Sequence, residues 1–147
     1  QKYPGKIEIH VMGQGSYSHP ELNIISKNWD PKTENADLNE FDIGIMPLPN
    51  DEWVKGKCGL KGLTYMACGV PTIMAAVGVN PEIIQHDENG LFASCHQEWV
   101  DCLSKLIEDE QLRGKLGQNG RKTVVEKYSV ESNKHRYLEV LKSLIKE

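Results

Sequence analysis

The sequence contains no apolar run that approaches the roughly 20 residues of a membrane-spanning helix. It also lacks an excess of positive charge, because its 147 residues carry a formal net charge of −4. That sign disfavours broad contact with a nucleic-acid backbone, so we expect no nucleic-acid partner. Internal repeats and low-complexity segments are absent too. What remains is a globular chain of ordinary composition, long enough for one domain with a continuous core.

Closely spaced cysteine pairs are also missing. The four cysteines form no C-x-x-C pair and no Cys/His spacing typical of zinc, and the five histidines are scattered. We therefore expect no metal site. We interpret the cysteines as reduced thiols in or near the core of a cytoplasmic protein. They are Cys58, Cys68, Cys95 and Cys102.

Strand-like and helix-like segments alternate through the first two thirds of the chain. Apolar patterns predict strands at residues 7–12, 22–25, 41–46, 71–75 and 91–93, and helices at roughly 32–40 and 58–68. Asn80 is suited to cap a further short helix, with Pro81 at its first position. This alternation predicts an α/β fold, with a Rossmann-like doubly wound parallel sheet in a single domain over residues 1–147.

The C-terminal third is predicted to be helical. Residues 99, 100, 103, 106 and 107 form one apolar stripe, and Gly117 and Gly120 weaken the middle of the next helix. Ser129 is suited to cap the last helix. The apolar side chains of that last helix are expected to face inward, and they are Tyr137, Leu138, Leu141, Leu144 and Ile145.

Residues 55–71 read KGKCGLKGLTYMACGVP and carry the clearest functional signal. A loop with two glycines leads into a short amphipathic helix that stops at Gly69. Glycine lets the backbone approach a ligand, and a helix N-terminus offers unpaired N–H groups to an anion. Lys57 and Lys61 add positive charge at the same end. The stretch therefore predicts a site for a phosphate or diphosphate, as in a nucleotide.

Other loops are expected at the same edge of the sheet. Residues 13–15, 28–29, 47–51 and 77–80 all follow strands, and parallel sheets bind ligands beyond the carboxyl ends of their strands. Gly13 and Gly15 are suited either to ligand approach or simply to a turn. Trp29 is suited either to flank a nucleobase or to fill a core. We assign no acid–base role to the adjacent carboxylates of Asp51 and Glu52.

Several blocks of the sequence resemble the C-terminal, donor-binding domain of group-one retaining glycosyltransferases, which have the two-domain GT-B fold. The resemblance covers nearly the whole chain. The blocks are FDIGIMPL at 41–48, Gly59-Leu60 with Leu63, YMACGVP at 65–71, PEII at 81–84 and NGL at 89–91.

The resemblance implies a parent enzyme that moves a hexosyl-type sugar from a nucleotide diphosphate sugar to an acceptor during glycan biosynthesis, with retention. It implies no bound metal or other cofactor. We expect a cytoplasmic location from the acidic charge and the lack of an apolar span, and association of the parent with the cytoplasmic face of a membrane stays open. The chain would be a piece of that parent, lacking the domain's first strand and helix before Gln1 and the N-terminal acceptor domain. We therefore assign it no catalytic residue and expect it to be inactive alone.

The sequence departs from the family pattern at a pair of glutamates and at Val77-Gly78-Val79, where the family commonly has a Gly-Gly pair. The family usually has two glutamates separated by seven residues, which contact the donor sugar and the ribose; Gly56 and Thr64 stand at those positions. Gly56-Lys57-Cys58 followed by Lys61 resembles a subset of the family. The donor-binding residues that we predict are Gly13, Gly15, Trp29, Gly56, Lys57, Cys58, Gly59, Lys61 and Thr64.

Two other functions stay open at this point. A nucleotide-sugar epimerase uses two domains of the same fold, although it would need acid and base residues that are not evident here. A non-catalytic domain that has lost donor chemistry would fit the missing glutamate pair, whereas the lysines and glycines count against it.

Overall fold

The computed structural model describes residues 2–145. The chain divides into two compact units, with the boundary between Asp37 and Leu38. Each unit is described by itself. Within the described residues, the strands of both units pair in parallel, as the α/β prediction requires, and the antiparallel pairing of His19 with Leu22 is an isolated bridge.

The first unit is built on two strands, β1 (Ile9–Gly13) and β2 (Ile24–Asn28). They pair in register from Ile9 beside Ile24 to Gly13 beside Asn28, so both strands end at one edge. The second strand runs three residues beyond its predicted end. Helix α1 (Glu34–Leu38) follows and begins in this unit.

A buried carboxylate joins α1 to β2. Asp37 is 5% exposed, and its carboxylate accepts hydrogen bonds from the ammonium group of Lys27 and from Oγ1 of Thr33, the latter at 2.8 Å. These two hydrogen bonds, that of Lys27 first, lower the pKa of Asp37 below its usual value of 3.8.

The second unit contains a three-stranded sheet in the order β3 (Gly44–Met46), β4 (Thr72–Ala75) and β5 (Leu91–Ala93). The central strand β4 is buried along its whole length. A continuous apolar strand of this kind is typical of a parallel sheet covered on both faces. The predicted strands at 41–46, 71–75 and 91–93 are thereby confirmed, the first shortened to three residues.

Seven helical segments accompany the described part of this sheet. They are α2 (Glu52–Lys55), α3 (Leu60–Ala67), α4 (Asn80–Ile83), α5 (His96–Glu108), α6 (Glu110–Thr123), a π-helical segment (Val124–Tyr128) and α7 (Val130–Leu144).

Two apolar clusters flank β4. Ile73 belongs to one cluster with Leu106 of α5 and Leu116 of α6. The adjacent residue Met74 belongs to the other, with Met66 of α3. Since successive side chains of a strand point to opposite faces, helices cover both faces of this sheet. The doubly wound arrangement is therefore confirmed for this unit.

The turn that ends α3 fits closely under α6. Gly69 has φ +75°, its N–H donates to Met66, and the next N–H, of Val70, donates to Tyr65, which is the Schellman arrangement of a helix end. A Cβ on Gly117 would lie 2.1 Å from the carbonyl oxygen of Gly69. Gly117 thus allows backbone contact between α6 and this turn, and the helix continues through it.

The last helix differs from the prediction. Ser129 does cap α7, its Oγ accepting from the N–H of Ser132 at 3.0 Å. The apolar side chains expected to face inward are instead between 50% and 74% exposed. The periodicity correctly predicted an apolar stripe on α7, but in the structure the stripe faces solvent. The exposed residues are Tyr137, Leu138, Leu141, Leu144 and Ile145.

The cysteine prediction is wrong for two of the four residues. All four are free thiols, but Cys58 and Cys95 are exposed, Cys68 is half-buried and Cys102 is buried. Cys58 lies in the loop before α3, and Cys95 immediately precedes α5. Burial raises the pKa of the Cys102 thiol.

Replacing Gly117 by alanine is expected to destabilise the chain by roughly 1–3 kcal/mol, because the new methyl group overlaps the Gly69 carbonyl. Gly114→Ala is the matched control, since it lies in the same helix with no atom within 4 Å of its Cβ position. That substitution should stabilise by about 0.5–1 kcal/mol through helix propensity. Urea denaturation would measure both, and equal effects would contradict the proposed backbone contact.

The Asp37 carboxylate should make the first unit sensitive to acid. Because its folded pKa is depressed, its contribution is present above the usual value of 3.8 and is lost as the pH falls through the folded pKa. Asp37→Asn should remove this acid-dependent part of the free energy of unfolding. Amide signals of β2, followed by NMR during denaturation at several acidic pH values, would report it. An unchanged pH profile in the variant would contradict the role of Asp37.

Candidate functional site

Two loops of the second unit lie at the carboxyl edge of its sheet. Met46 pairs with Met74, so the loop after β3 (47–51) and the loop after β4 (76–79) leave the sheet at the same edge. Between them in sequence come α2 and the turn 56–59, which leads into α3. The predicted placement of these loops on one rim is confirmed within this unit.

Helix α2 uses the two adjacent carboxylates structurally. Asp51 caps the helix, its Oδ1 accepting from the N–H of Val54 at 2.8 Å. Glu52 pairs with the ammonium group of Lys55 at 2.6 Å, three residues along. The structure thus gives both carboxylates roles in the local fold.

Gly59 turns the chain into α3. It is buried and adopts φ +72°, which favours glycine strongly. A Cβ at this position would lie 2.5 Å from Cδ1 of Ile83 and 3.1 Å from Oδ1 of Asn80. A Cβ on Gly62 would similarly lie 2.5 Å from Cε of Met74. Two glycines therefore let the first turn of α3 lie directly on β4 and α4.

A second close approach joins the two loops. Gly78 is exposed and has φ +57°, and a Cβ there would lie 2.7 Å from the carbonyl oxygen of Lys55. The loop after β4 thus lies against the C-terminal end of α2. Together with the Gly59 contact, this holds residues 55–59 against residues 76–80.

Positive charge is exposed at the start of α3. Lys61 is the second residue of the helix, and Lys57 precedes its N-cap by two positions. Both side chains are exposed, and within residues 2–145 neither ammonium group has a carboxylate partner. The first N–H groups of a helix also have no intrahelical acceptor. Cations at a helix N-terminus are unfavourable in isolation. A bound anion would offset the positive charge of the lysines and would accept hydrogen bonds from the free N–H groups.

The other predicted residues of α3 and its loop have varied environments. Gly56 ends α2, and Cys58 is exposed beside Gly59. Thr64 is half-buried, and its Oγ1 donates to the carbonyl of Leu60 at 2.8 Å. Burial raises the pKa of the adjacent Tyr65. Trp53 on α2 is 84% exposed, close in sequence to these residues.

In the first unit the structure brings together Gly13 and Trp29. The N–H of Trp29 donates to the carbonyl of Gly13 at 3.4 Å, at the edge where both strands end. Trp29 is 52% exposed, so it is not a core residue. Gly15 has φ +100° in the following turn. Convergence of these residues with those around α3 stays a prediction.

Asn80 is the residue whose position the sequence pattern misjudged. The pattern predicted a capping residue, but Val79 holds the N-cap position and Asn80 is the first residue of α4. Its side chain is 1% exposed and donates from Nδ2 to the carbonyl of Ala75 at 2.8 Å. The side chain thus bonds back to the end of the buried strand, and no side chain among the described residues caps α4. Nothing in the local pattern distinguishes these two uses of an asparagine.

Residues 2–145 show neither a cluster of metal-binding side chains nor a membrane-spanning helix. In that range no group of three or more His, Cys, Asp or Glu side chains could hold a metal ion. Over the same residues, no helix has the length and apolar character needed to cross a bilayer.

The sequence family described as glycosyl transferases group 1 matches residues 45–123, more than half of the chain. The matched range includes β4, α3 and both loops described above. The chain therefore belongs to the group 1 glycosyltransferases.

Relatives of this family support the assignment. The N-acetyl-alpha-D-glucosaminyl L-malate synthase of Bacillus anthracis is 35% identical over 85 residues, covering 56% of this chain and 22% of that protein. The D-inositol 3-phosphate glycosyltransferase of Corynebacterium jeikeium is 32% identical over 79 residues, covering 52% and 18%. The chain thus matches about a fifth of the length of these curated relatives.

Solved structures identify the fold as that of GT-B C-terminal domains. The C-terminal domain of the group 1 protein LpcC from Francisella tularensis is 31% identical with a TM-score of 0.63, covering 74% of this chain and 55% of that one. Anabaena HepE, solved with UDP-glucose, is 20% identical with a TM-score of 0.66, covering 83% and 33%. At that identity HepE supports the fold alone.

The contact between the two loops can be tested at Gly78. The left-handed backbone conformation alone should make Gly78→Ala destabilising by about 1–2 kcal/mol. The total loss should be larger, because the new Cβ also overlaps the Lys55 carbonyl. Gly69→Ala is the control, with φ +75° and no atom within 4 Å of its Cβ position. Thermal unfolding would compare the two, and a smaller loss for Gly78→Ala would contradict the contact.

Proposed function

We propose that this chain binds the nucleotide diphosphate portion of a sugar donor. The observation that carries the proposal is the open N-terminus of α3, with Lys57 and Lys61 exposed and without carboxylate partners in the described range. Backbone N–H groups and two ammonium groups would neutralise a diphosphate through charge-assisted hydrogen bonds. HepE, which has the same fold, was solved with UDP and with UDP-glucose, the class of ligand that we propose for this chain.

The parent enzyme would transfer the sugar to an acceptor, with retention and without a bound metal. The leaving diphosphate gains negative charge as the bond between its oxygen and the anomeric carbon of the sugar breaks, so fixed positive groups would stabilise the transition state more than the ground state. Lys57 and Lys61 are the residues that we assign to this role. The transferred group would be a hexosyl-type sugar, as in several relatives that are named for such transfers.

Acceptor chemistry would lie outside this chain. We propose that an N-terminal acceptor domain of the parent supplies it, at the cytoplasmic face of a membrane. This chain alone would bind donor and not turn it over. The epimerase alternative gains no support, because the named relatives are transferases or synthases.

Donor binding can be tested by titrating the chain with UDP, GDP and ADP and following amide shifts by NMR. At least one diphosphate should shift residues 56–61 or 13–15 at millimolar concentration. UMP, which lacks the second phosphate, should bind more weakly. Failure of all three diphosphates to shift either segment would contradict donor binding by this chain.

Lysine variants make the test specific. Lys57→Gln and Lys61→Gln should each weaken the preferred diphosphate by about tenfold, as expected for loss of a charge-assisted hydrogen bond. Lys55→Gln is the matched control, because the Lys55 ammonium already pairs with Glu52. An equal loss in all three variants would indicate only a general charge effect.

A further inference from the structure

Asn80 lies at the junction of the three elements that form the candidate site. It is the first residue of α4, its Nδ2 reaches back to the last carbonyl of β4, and its Oδ1 lies beside Gly59 at the N-cap of α3. The side chain therefore spans the gap between the end of the sheet and the start of the helix that carries the lysines.

The hydrogen bond of Asn80 is not required to satisfy the strand end. The carbonyl of Ala75 also accepts the N–H of Val77 at 2.8 Å. Losing the amide would thus leave that carbonyl with a partner, and would not create an unsatisfied buried acceptor. The hydrogen bond therefore serves to hold the Asn80 side chain, and the elements that it contacts, in position.

The contact with Gly59 is tight. A Cβ on Gly59 would lie 3.1 Å from Oδ1 of Asn80, 2.5 Å from Cδ1 of Ile83 and 3.5 Å from Cε of Met74. The amide oxygen of Asn80 therefore lies beside the start of α3, with too little room between them for a side chain at position 59. The Gly78 contact with Lys55 fixes the same pair of loops at a second point.

Anion binding at a helix N-terminus depends on the direction of the N–H groups. A site of this kind needs its groups held within about 0.5 Å of the productive geometry. We propose that Asn80 is a positioning residue, which fixes the N-terminus of α3 against the loop 76–79 so that the N–H groups and both lysines meet one diphosphate. The binding part of this inference rests on the proposed function.

The chain provides a matched control in Asn89. This amide is also buried, at 3% exposed, and its Oδ1 accepts from the N–H of Gln85 at 2.7 Å. Its Nδ2 donates to the carbonyl of Ile83 and to Oγ1 of Thr123. These bonds join the C-terminal end of α4 to α6, so Asn89 has a structural role without a contact to Gly59.

The first measurement needs no ligand. The N–H of Lys57 bonds to Val54 and the N–H of Leu63 bonds to Gly59, so exchange of these two amide protons reports the order of the loop and of the first turn of α3. Asn80→Ala should accelerate the exchange of both amide protons by about tenfold or more relative to Asn89→Ala. The two variants are compared under conditions in which their free energies of global unfolding are equal. Equal exchange in the two variants would overturn the proposal.

The second measurement is the affinity for UDP. Asn80→Ala should weaken it by about tenfold, whereas Asn89→Ala should stay within about twofold even if it costs more stability. If Asn80→Ala does not fold, Asn80→Ser replaces it, since serine keeps a polar side chain at this position that is too short to make either contact of Asn80. An unchanged affinity in the Asn80 variant would overturn the positioning role. If wild-type chain binds no diphosphate, the proposed function fails, and amide exchange alone decides the role of Asn80.

Discussion

The second unit depends on one close approach, that of the first turn of α3 to β4. Gly62 brings the helix backbone against Met74 of β4, where a Cβ would lie 2.5 Å from Cε of that side chain, and Gly59 does the same against Ile83 of α4. Because β4 is the central strand and is buried throughout, its position fixes β3 and β5 on either side. The same approach sets where the N-terminus of α3 stands relative to the loop after β4. The same packing of α3 on β4 therefore determines both the position of the sheet and the position of the loop and helix start that carry Lys57 and Lys61.

Much of this architecture follows from local sequence signals. Apolar runs bounded by glycine and proline predicted the strands, because buried parallel strands need a continuous apolar sequence. Gly69 predicted the end of α3, since a left-handed residue is needed there. Lys57, Lys61 and Gly59 were predicted around the N-terminus of one helix, and the structure places them there. Each of these signals acts within a few residues along the chain.

The features that the sequence did not predict are those decided by distant partners. The periodicity of α7 predicts an apolar stripe but carries no information on what covers it, and the stripe is exposed. The pattern Asn80-Pro81 predicts a helix cap, whereas in the structure Nδ2 of Asn80 donates a hydrogen bond to the Ala75 carbonyl. The sequence predicted that Gly117 would weaken α6, whereas the structure shows that it allows close contact with the carbonyl of Gly69. In each case the residue type indicated the local structure, but the sequence did not show which distant residue it would contact.

The exposure of Trp53 has a practical consequence for spectroscopy. Its indole is 84% exposed on α2, whose C-terminal end touches the loop after β4, while Trp99 is half-buried against the core. Solvent relaxation shifts the emission of an exposed indole to longer wavelength than that of a packed one. The second unit therefore contains two tryptophans in different environments, one exposed at the rim and one packed against the core, and the emission of Trp53 should lie at longer wavelength than that of Trp99.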